Sequence, residues 1–366
     1  MNKELSLRQI SYIYVFISLS SIVRQIPSAL AAEAGRSAYI SPLWSIVAIV
    51  PLTFIVVGLI KLFPGLNLYE IMLQVFGTLL TKIMILAYLL WFILLLATKI
   101  NIYTQTLQFT LMPQTRNNFF LITLIFLVAH VLQRGLKTVF RFSEFTLGII
   151  LFAFIIIFLC SINKIREDYL LPVSTFYLVD TARAAVNVVA VGGNIIIALF
   201  FSDKLGISTT KMQRGRLWIS VGIFLFLTFF TTLSTIGING ASLTAILPFP
   251  FYNTVKGISF FDIFERFEVV VTLISMLSDF IAICILFIII IRCFEWLFNL
   301  KEKGLLYGPL IIIVFYLTYY ISSTQFEFEF LYRNVIIYLN IVFQYFIPML
   351  IVLFSLFQIN KIKKQY

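Results

Sequence analysis

The chain has 366 residues, 61% hydrophobic and only 12% charged, with a mean hydropathy of +1.03. A soluble domain carries about twice that charge fraction, so this composition excludes a soluble core-and-surface arrangement. The net charge of +11 does not mark a nucleic-acid interface, because the basic residues are dispersed among short loops rather than gathered into a patch.

A bilayer admits only helices and closed barrels. The apolar runs here are long and continuous rather than alternating, which predicts an all-α polytopic membrane protein. Spans need about 20 residues. Ten such runs occur, at 9–33, 40–62, 83–110, 117–133, 139–161, 180–202, 216–238, 267–298, 305–323 and 334–358. Between them, 64–82 reads as a short interfacial helix after the Pro64-Gly65 turn. Residues 240–266 read as a long connection punctuated by Pro248, Pro250 and Gly257. The whole of 1–366 is expected to form one integral membrane domain with repeat halves at 9–161 and 180–358. Placing both termini in the cytoplasm assigns most basic residues to inside loops, Arg134, Lys137, Arg141, Lys204 and Arg216 among them. The start, MNKELSLRQIS, has no small-residue cleavage motif, so no removable signal peptide is expected. Cys160, Cys284 and Cys293 lie in or beside apolar runs without metal-ligand spacing and read as small apolar residues. His130 ends a run and reads as structural.

Two spans carry defects. In the first, Pro27 removes a backbone donor and clashes with the preceding turn, just after Arg24 and Gln25. In the sixth, Gly192-Gly193-Asn194 lowers helix stability. Either defect alone reads as a kink or a close helix crossing. At corresponding places in the two halves, they point to a transporter-type binding site between broken helices.

Ionisable residues inside spans are costly and face a cavity or a partner. Lys99 shares a helical face with Tyr103, Thr106 and Thr110; Asp180 and Arg183 share one with Asn187 and Asn194; Glu268, Thr272 and Ser275 share one with Asp279. Three such stripes can line one aqueous pocket. Asp279, the deepest acid, is a partner for Lys99 or Arg24, as part of that pocket or as a self-neutralising salt bridge. Asp180 with Arg183, and Arg141 with Glu144, read as ion pairs near membrane ends. The candidate ligand-binding residues are Val23, Arg24, Gln25, Ile26, Lys99, Tyr103, Gly192, Gly193, Asn194, Ser275 and Asp279. No catalytic residues, metal ligands or cofactor motif are expected. There is no phosphate-binding Gly-Lys-Ser/Thr loop, no HExxH and no Cys/His cluster.

The stretch LSLRQISYIYVFISLSSIVRQIPSALAAEAGRSAYIS, with its Ser-x-x-Gln start, first-span Pro and Ala-Gly-x-x-aromatic turn, resembles the B subunit of spore germinant receptors. These are the endospore germination permeases of the amino acid–polyamine–organocation superfamily. The likeness continues at GLKTVFRFSEF, at LLPV, and at ISFFDIFERFEVVVTLISMLSDF, where Arg266 and Glu268 match the family's Arg-x-Glu. It implies ten transmembrane helices in a five-plus-five inverted repeat with broken first and sixth helices, the LeuT-like fold. It also implies the inner membrane of a bacterial spore, a small nutrient ligand, often an amino acid, a membrane-bound A subunit and a lipoprotein C subunit. Where family members carry small residues before the first-span Pro, this chain has Val23-Arg24-Gln25-Ile26. An arginine there meets a ligand carboxylate or is held by Asp279. The expected function is nutrient sensing; the alternative is an autonomous amino acid permease, with protons passing through Asp279.

Overall fold

The computed structural model describes residues 5–171, 177–205, 211–257, 267–300, 304–321, 327 and 330–363, with the backbone alone at 211–214, 267, 304–307 and 357–363. Arg266 and Pro172-Val173 of the family-like motifs lie outside the described residues.

α1 (Leu7–Arg24) opens on a reciprocal cap. Ser6 Oγ accepts from the Gln9 amide at 3.3 Å, and Gln9 Oε1 accepts from the Ser6 amide at 3.1 Å. The Ser-x-x-Gln start is thus a capping box. Replacing Ser6 with Ala is expected to lower stability by about 1 kcal/mol in detergent unfolding, with the native fold kept. Gln9 Nε2 also donates to Glu144 at 3.2 Å, and Arg8 forms an ion pair with the same carboxylate. Glu144 is therefore paired with α1 rather than with Arg141, which is exposed: the approach of α1 brings a cation and an amide to Glu144 from a neighbouring helix.

α2 (Ile26–Ala34) follows after one residue, with Pro27 in its first turn. A short 3-10 turn leads into α3 (Ser41–Leu62). α4 (Leu68–Thr110) is two helices in one: Gly77 has φ +77° and ψ −178°, a backbone state that favours glycine. The segment before Gly77 is the short helix expected over 64–82. α5 (Asn117–Arg134) and α6 (Leu136–Ile162) complete the first half.

In the second half, α7 (Leu178–Gly192) passes through a 3-10 turn, Gly193–Ile196, into α8 (Ile197–Phe200). α9 (Lys211–Asn239) is followed by the short α10 (Ala241–Ile246) and α11 (Pro250–Lys256), which occupy the expected long connection. α12 (Phe267–Phe298) and α13 (Gly304–Ile321) come next. The last stretch alternates π-helical turns, Tyr332–Ile336 and Val342–Phe346, with α14 (Ile337–Ile341) and α15 (Ile347–Lys363).

Eight described helical stretches are long and apolar enough to cross a membrane, by length and composition. Ile26–Leu62 joins α2 to α3 as one of them, and Gly308–Ile321 is apolar but shorter. α1 packs against α9 and α12, α4 against α12, and α3 against α7. α7 through α8 and α12 are the most enclosed spans, whereas α5 turns many large apolar side chains outward. Burial of both interrupted rods is what brings their polar groups together. Outward-facing Phe, Leu and Ile suit contact with lipid.

At the end where α1 begins, Leu5 pairs with Leu205 through the Leu5 amide and the Lys204 carbonyl, 3.0 Å. Arg292 there donates to the Phe200 carbonyl and to Asp203, the latter at 2.5 Å, with its guanidinium 5.3 Å from the rings of Phe201 and Trp296. At the opposite end a hollow of about 490 Å³ is bordered by Arg36, Tyr169, Asn239 and Ser242. The N-terminal end of the bundle is thus tied across, while the other end is indented. Asp180 and Arg183 form no ion pair among the described residues. Of that stripe, Asn187 Nδ2 donates to Glu33 of α2 at 3.1 Å.

Candidate functional site

Pro27 has no N–H, so the helix through Val23 loses a backbone bond there. The interruption is tight: Gln25 alone separates α1 from α2, and it keeps right-handed helical angles, φ −105° and ψ −39°. In α7 the two glycines also stay helical, and the chain tightens into a 3-10 turn instead of unwinding. Both rods are interrupted, and neither is splayed open.

Arg24, in the last turn of α1, is 2% exposed, and Asp279 on α12 is fully buried. The guanidinium forms an ion pair with the Asp279 carboxylate and donates to the Ile102 carbonyl at 3.0 Å and the Thr106 hydroxyl at 2.5 Å. Of the two cations expected near Asp279, Arg24 takes it. Lys99 turns the other way: its Nζ lies 3.2 Å from the Ile17 carbonyl, 2.7 Å from Ser20 Oγ and 3.2 Å from Ser21 Oγ. Three oxygens match the three protons of an ammonium. Ser278 Oγ donates to the Phe16 carbonyl at 2.7 Å, so α12 is fastened to α1 one residue from the ion pair.

The last span meets the α7 interruption from the other side. Gln344 Nε2 donates to Asn194 Oδ1 at 3.0 Å, Asn340 Nδ2 to the Ala190 carbonyl at 3.1 Å, and Tyr345 Oη to the Val189 carbonyl at 2.8 Å. Trp91 Nε1 in turn donates to Asn340 Oδ1 at 3.0 Å. The π-helical turn at Val342–Phe346 aims Gln344 and Tyr345 at the site, and its Phe343 carbonyl accepts from Tyr88 Oη at 2.7 Å. Trp91, Asn340, Gln344 and Tyr345 were not among the expected site residues. Asn340 and Gln344, four apart in an apolar run, were the readable signal.

Where the two interruptions face each other lies a cavity of about 30 Å³. Its polar lining is Ser21 and Gln25 from the first rod, Thr98 and Lys99 from α4, Asn194 from the α7 interruption, and Tyr332 and Asn340 from the last span. Of the expected residues, Gln25, Lys99 and Asn194 border it. Arg24 and Asp279 stand behind it as an ion pair. Val23, Ile26 and Tyr103 are buried outside the lining. Gly192 packs on Ile49 and Phe224, and Gly193 on Gln344 and Tyr345. Ser275 Oγ donates to the Val271 carbonyl of its own helix at 2.9 Å. Among the described residues no group of His, Cys, Asp and Glu is arranged to hold a metal ion.

The model of a family described as spore germination protein matches residues 4–326. This chain belongs to that family. Curated proteins offer no match to this spore germination protein. Among solved structures it is similar to a Na⁺-coupled sialic acid symporter in a substrate-bound outward-open state, with a TM-score of 0.60 at 14% identity, over 93% of this chain and 79% of that one. At that identity the likeness is one of fold, and it makes this family member an all-α, LeuT-like membrane protein. Neither the family nor the fold is an enzyme class. The protein is germination-related, integral to a membrane and transporter-like in build.

Proposed function

We propose that this protein is the nutrient-sensing membrane subunit of a spore germinant receptor and binds a small germinant between its interrupted rods. The observation that carries the reading is the cavity where the two interruptions meet, lined from five spans, four of which bring polar side chains to it. A cavity of about 30 Å³ has room for about one water, so a nutrient enters only if the rods move apart. Binding then favours the opened state over the closed one by unequal affinity, which is the requirement for a sensor. The subunit sits in the spore inner membrane with both termini toward the core, beside a membrane-bound A subunit and a lipoprotein C subunit that read the opened state.

Spores carrying Asn194→Leu are expected to lose nutrient response by about tenfold or more, through the lost hydrogen bond to Gln344 and the apolar group in the cavity, while the receptor complex assembles at normal abundance. Unchanged germination kinetics would sink the site. The transporter fold supports a second reading, an autonomous permease for an amino acid or related solute. Uptake of labelled nutrient by vesicles holding this protein alone selects that reading over the first.

A further inference from the structure

We propose that the cavity takes a small organic anion, a carboxylate with a neutral hydrogen-bond donor beside it such as a 2-hydroxy acid, rather than a zwitterionic α-amino acid. The inference rests on the reading that the germinant binds between the rods, and it deepens that reading by naming the ligand class.

Charge comes first. Arg24 and Asp279 neutralise each other. Lys99 borders the cavity, and its three partners, the Ile17 carbonyl and the hydroxyls of Ser20 and Ser21, are all neutral. Among the described residues the ion pairs use Glu144, Asp279 and Asp203, and none includes Lys99. One basic amine therefore faces the cavity without a counter-ion, in surroundings where its charged form is costly until an anion joins it. A bound anion neutralises it. A zwitterion brings a second ammonium and leaves the net charge of the site unchanged.

Acceptors come second. A ligand ammonium needs oxygen atoms to receive its protons. Around the interruptions the protein's own donors already use most of them; Gln344 Oε1, which is outside the cavity lining, is an exception. Ile17 accepts from Lys99, Ile102 from Arg24, Ala190 from Asn340, and Val191 from Ser18 at 3.4 Å. The side-chain oxygens of Asn194 and Asn340 accept from Gln344 and Trp91. Among the described residues the lining keeps one buried side-chain acceptor with no hydrogen-bond partner, Gln25 Oε1. One acceptor suits one hydroxyl. The site thus offers an ammonium for a carboxylate and a single amide oxygen for a hydroxyl.

The test uses the full chain in detergent and four probes on one three-carbon skeleton: lactate, propanoate, L-alanine and lactamide, with affinities from calorimetry. Lactate is expected to bind tightest. Propanoate, lacking the hydroxyl, binds about 2- to 10-fold more weakly, and alanine and lactamide about 10-fold or more. Lys99→Gln weakens lactate by about 10- to 100-fold and removes the preference for anions; should that variant fail to fold, the wild-type series decides alone. Alanine or lactamide binding as tightly as lactate, and losing affinity in Asn194→Leu, would overturn the anion assignment and leave the cavity as the ligand site. Binding by none of the four, or binding unmoved by both Asn194→Leu and Lys99→Gln, would overturn the site together with the assignment.

Discussion

Replacing Asp279 with alanine is expected to lower the unfolding free energy of the protein in mixed micelles by about 3–5 kcal/mol. The loss follows from what is left behind. Arg24 is 2% exposed, and its remaining partners, the Ile102 carbonyl and the Thr106 hydroxyl, are neutral. A buried guanidinium without its carboxylate carries a large desolvation penalty that its neutral partners offset only in part. The double variant Arg24→Gln with Asp279→Asn removes both charges and keeps two groups able to bond each other. It is expected to regain most of the lost stability. Denaturation in mixed micelles, read by tryptophan fluorescence, separates the cases. A loss below about 1 kcal/mol for the single variant would mean the pair is solvated and open to a ligand, contrary to its burial.

Gly193→Ala is expected to be the second most damaging change, at about 1–3 kcal/mol, with Gly193→Trp well beyond that. Gly193 keeps ordinary helical angles, so the reason is space and not backbone freedom. A Cβ there would sit 2.6 Å from Tyr345 Cε2 and 2.7 Å from Gln344 Cβ, both in the π-helical turn of the last span. Either the last span or the α7 interruption must shift, and the bonds from Gln344 to Asn194 and from Tyr345 to the Val189 carbonyl go with it. The same variant therefore reads two things: stability in unfolding, and nutrient response in spores. Gly222→Ala is the matched control, because a Cβ there meets nothing within 4 Å. Equal stability of the two variants would refute the close approach.

Much of the architecture is legible in the amino-acid sequence. Pro27 acts through its own missing N–H, and Gly192-Gly193 through its own backbone, so both interruptions could be placed from local chemistry alone. The Ser-x-x-Gln start is a capping box for the same reason. The polar stripes on α4 and α12 followed from helical period, and both helices do present them inward at Lys99 and Asp279. What the period could not supply was the choice of partner. Arg24 and Asp279 are 255 positions apart, and Lys99 and Ser20 are 79 apart. The last span reads in the sequence only as the apolar run 334–358, yet its π-helical turns bring Asn340, Gln344 and Tyr345 onto the α7 interruption.

The sequence by itself determined that this protein dissolves in a bilayer, that it is helical throughout its apolar runs, and where its two rods are weakest. These follow from composition and from backbone chemistry acting within a few residues. Only the tertiary structure decided that Asp279 is closed by Arg24, that Lys99 is left facing a cavity of about 30 Å³, and that both interruptions are tight rather than unwound. The reason is geometric. A buried charge is satisfied by whatever group packing brings within hydrogen-bond reach, and that reach is set by how distant helices cross.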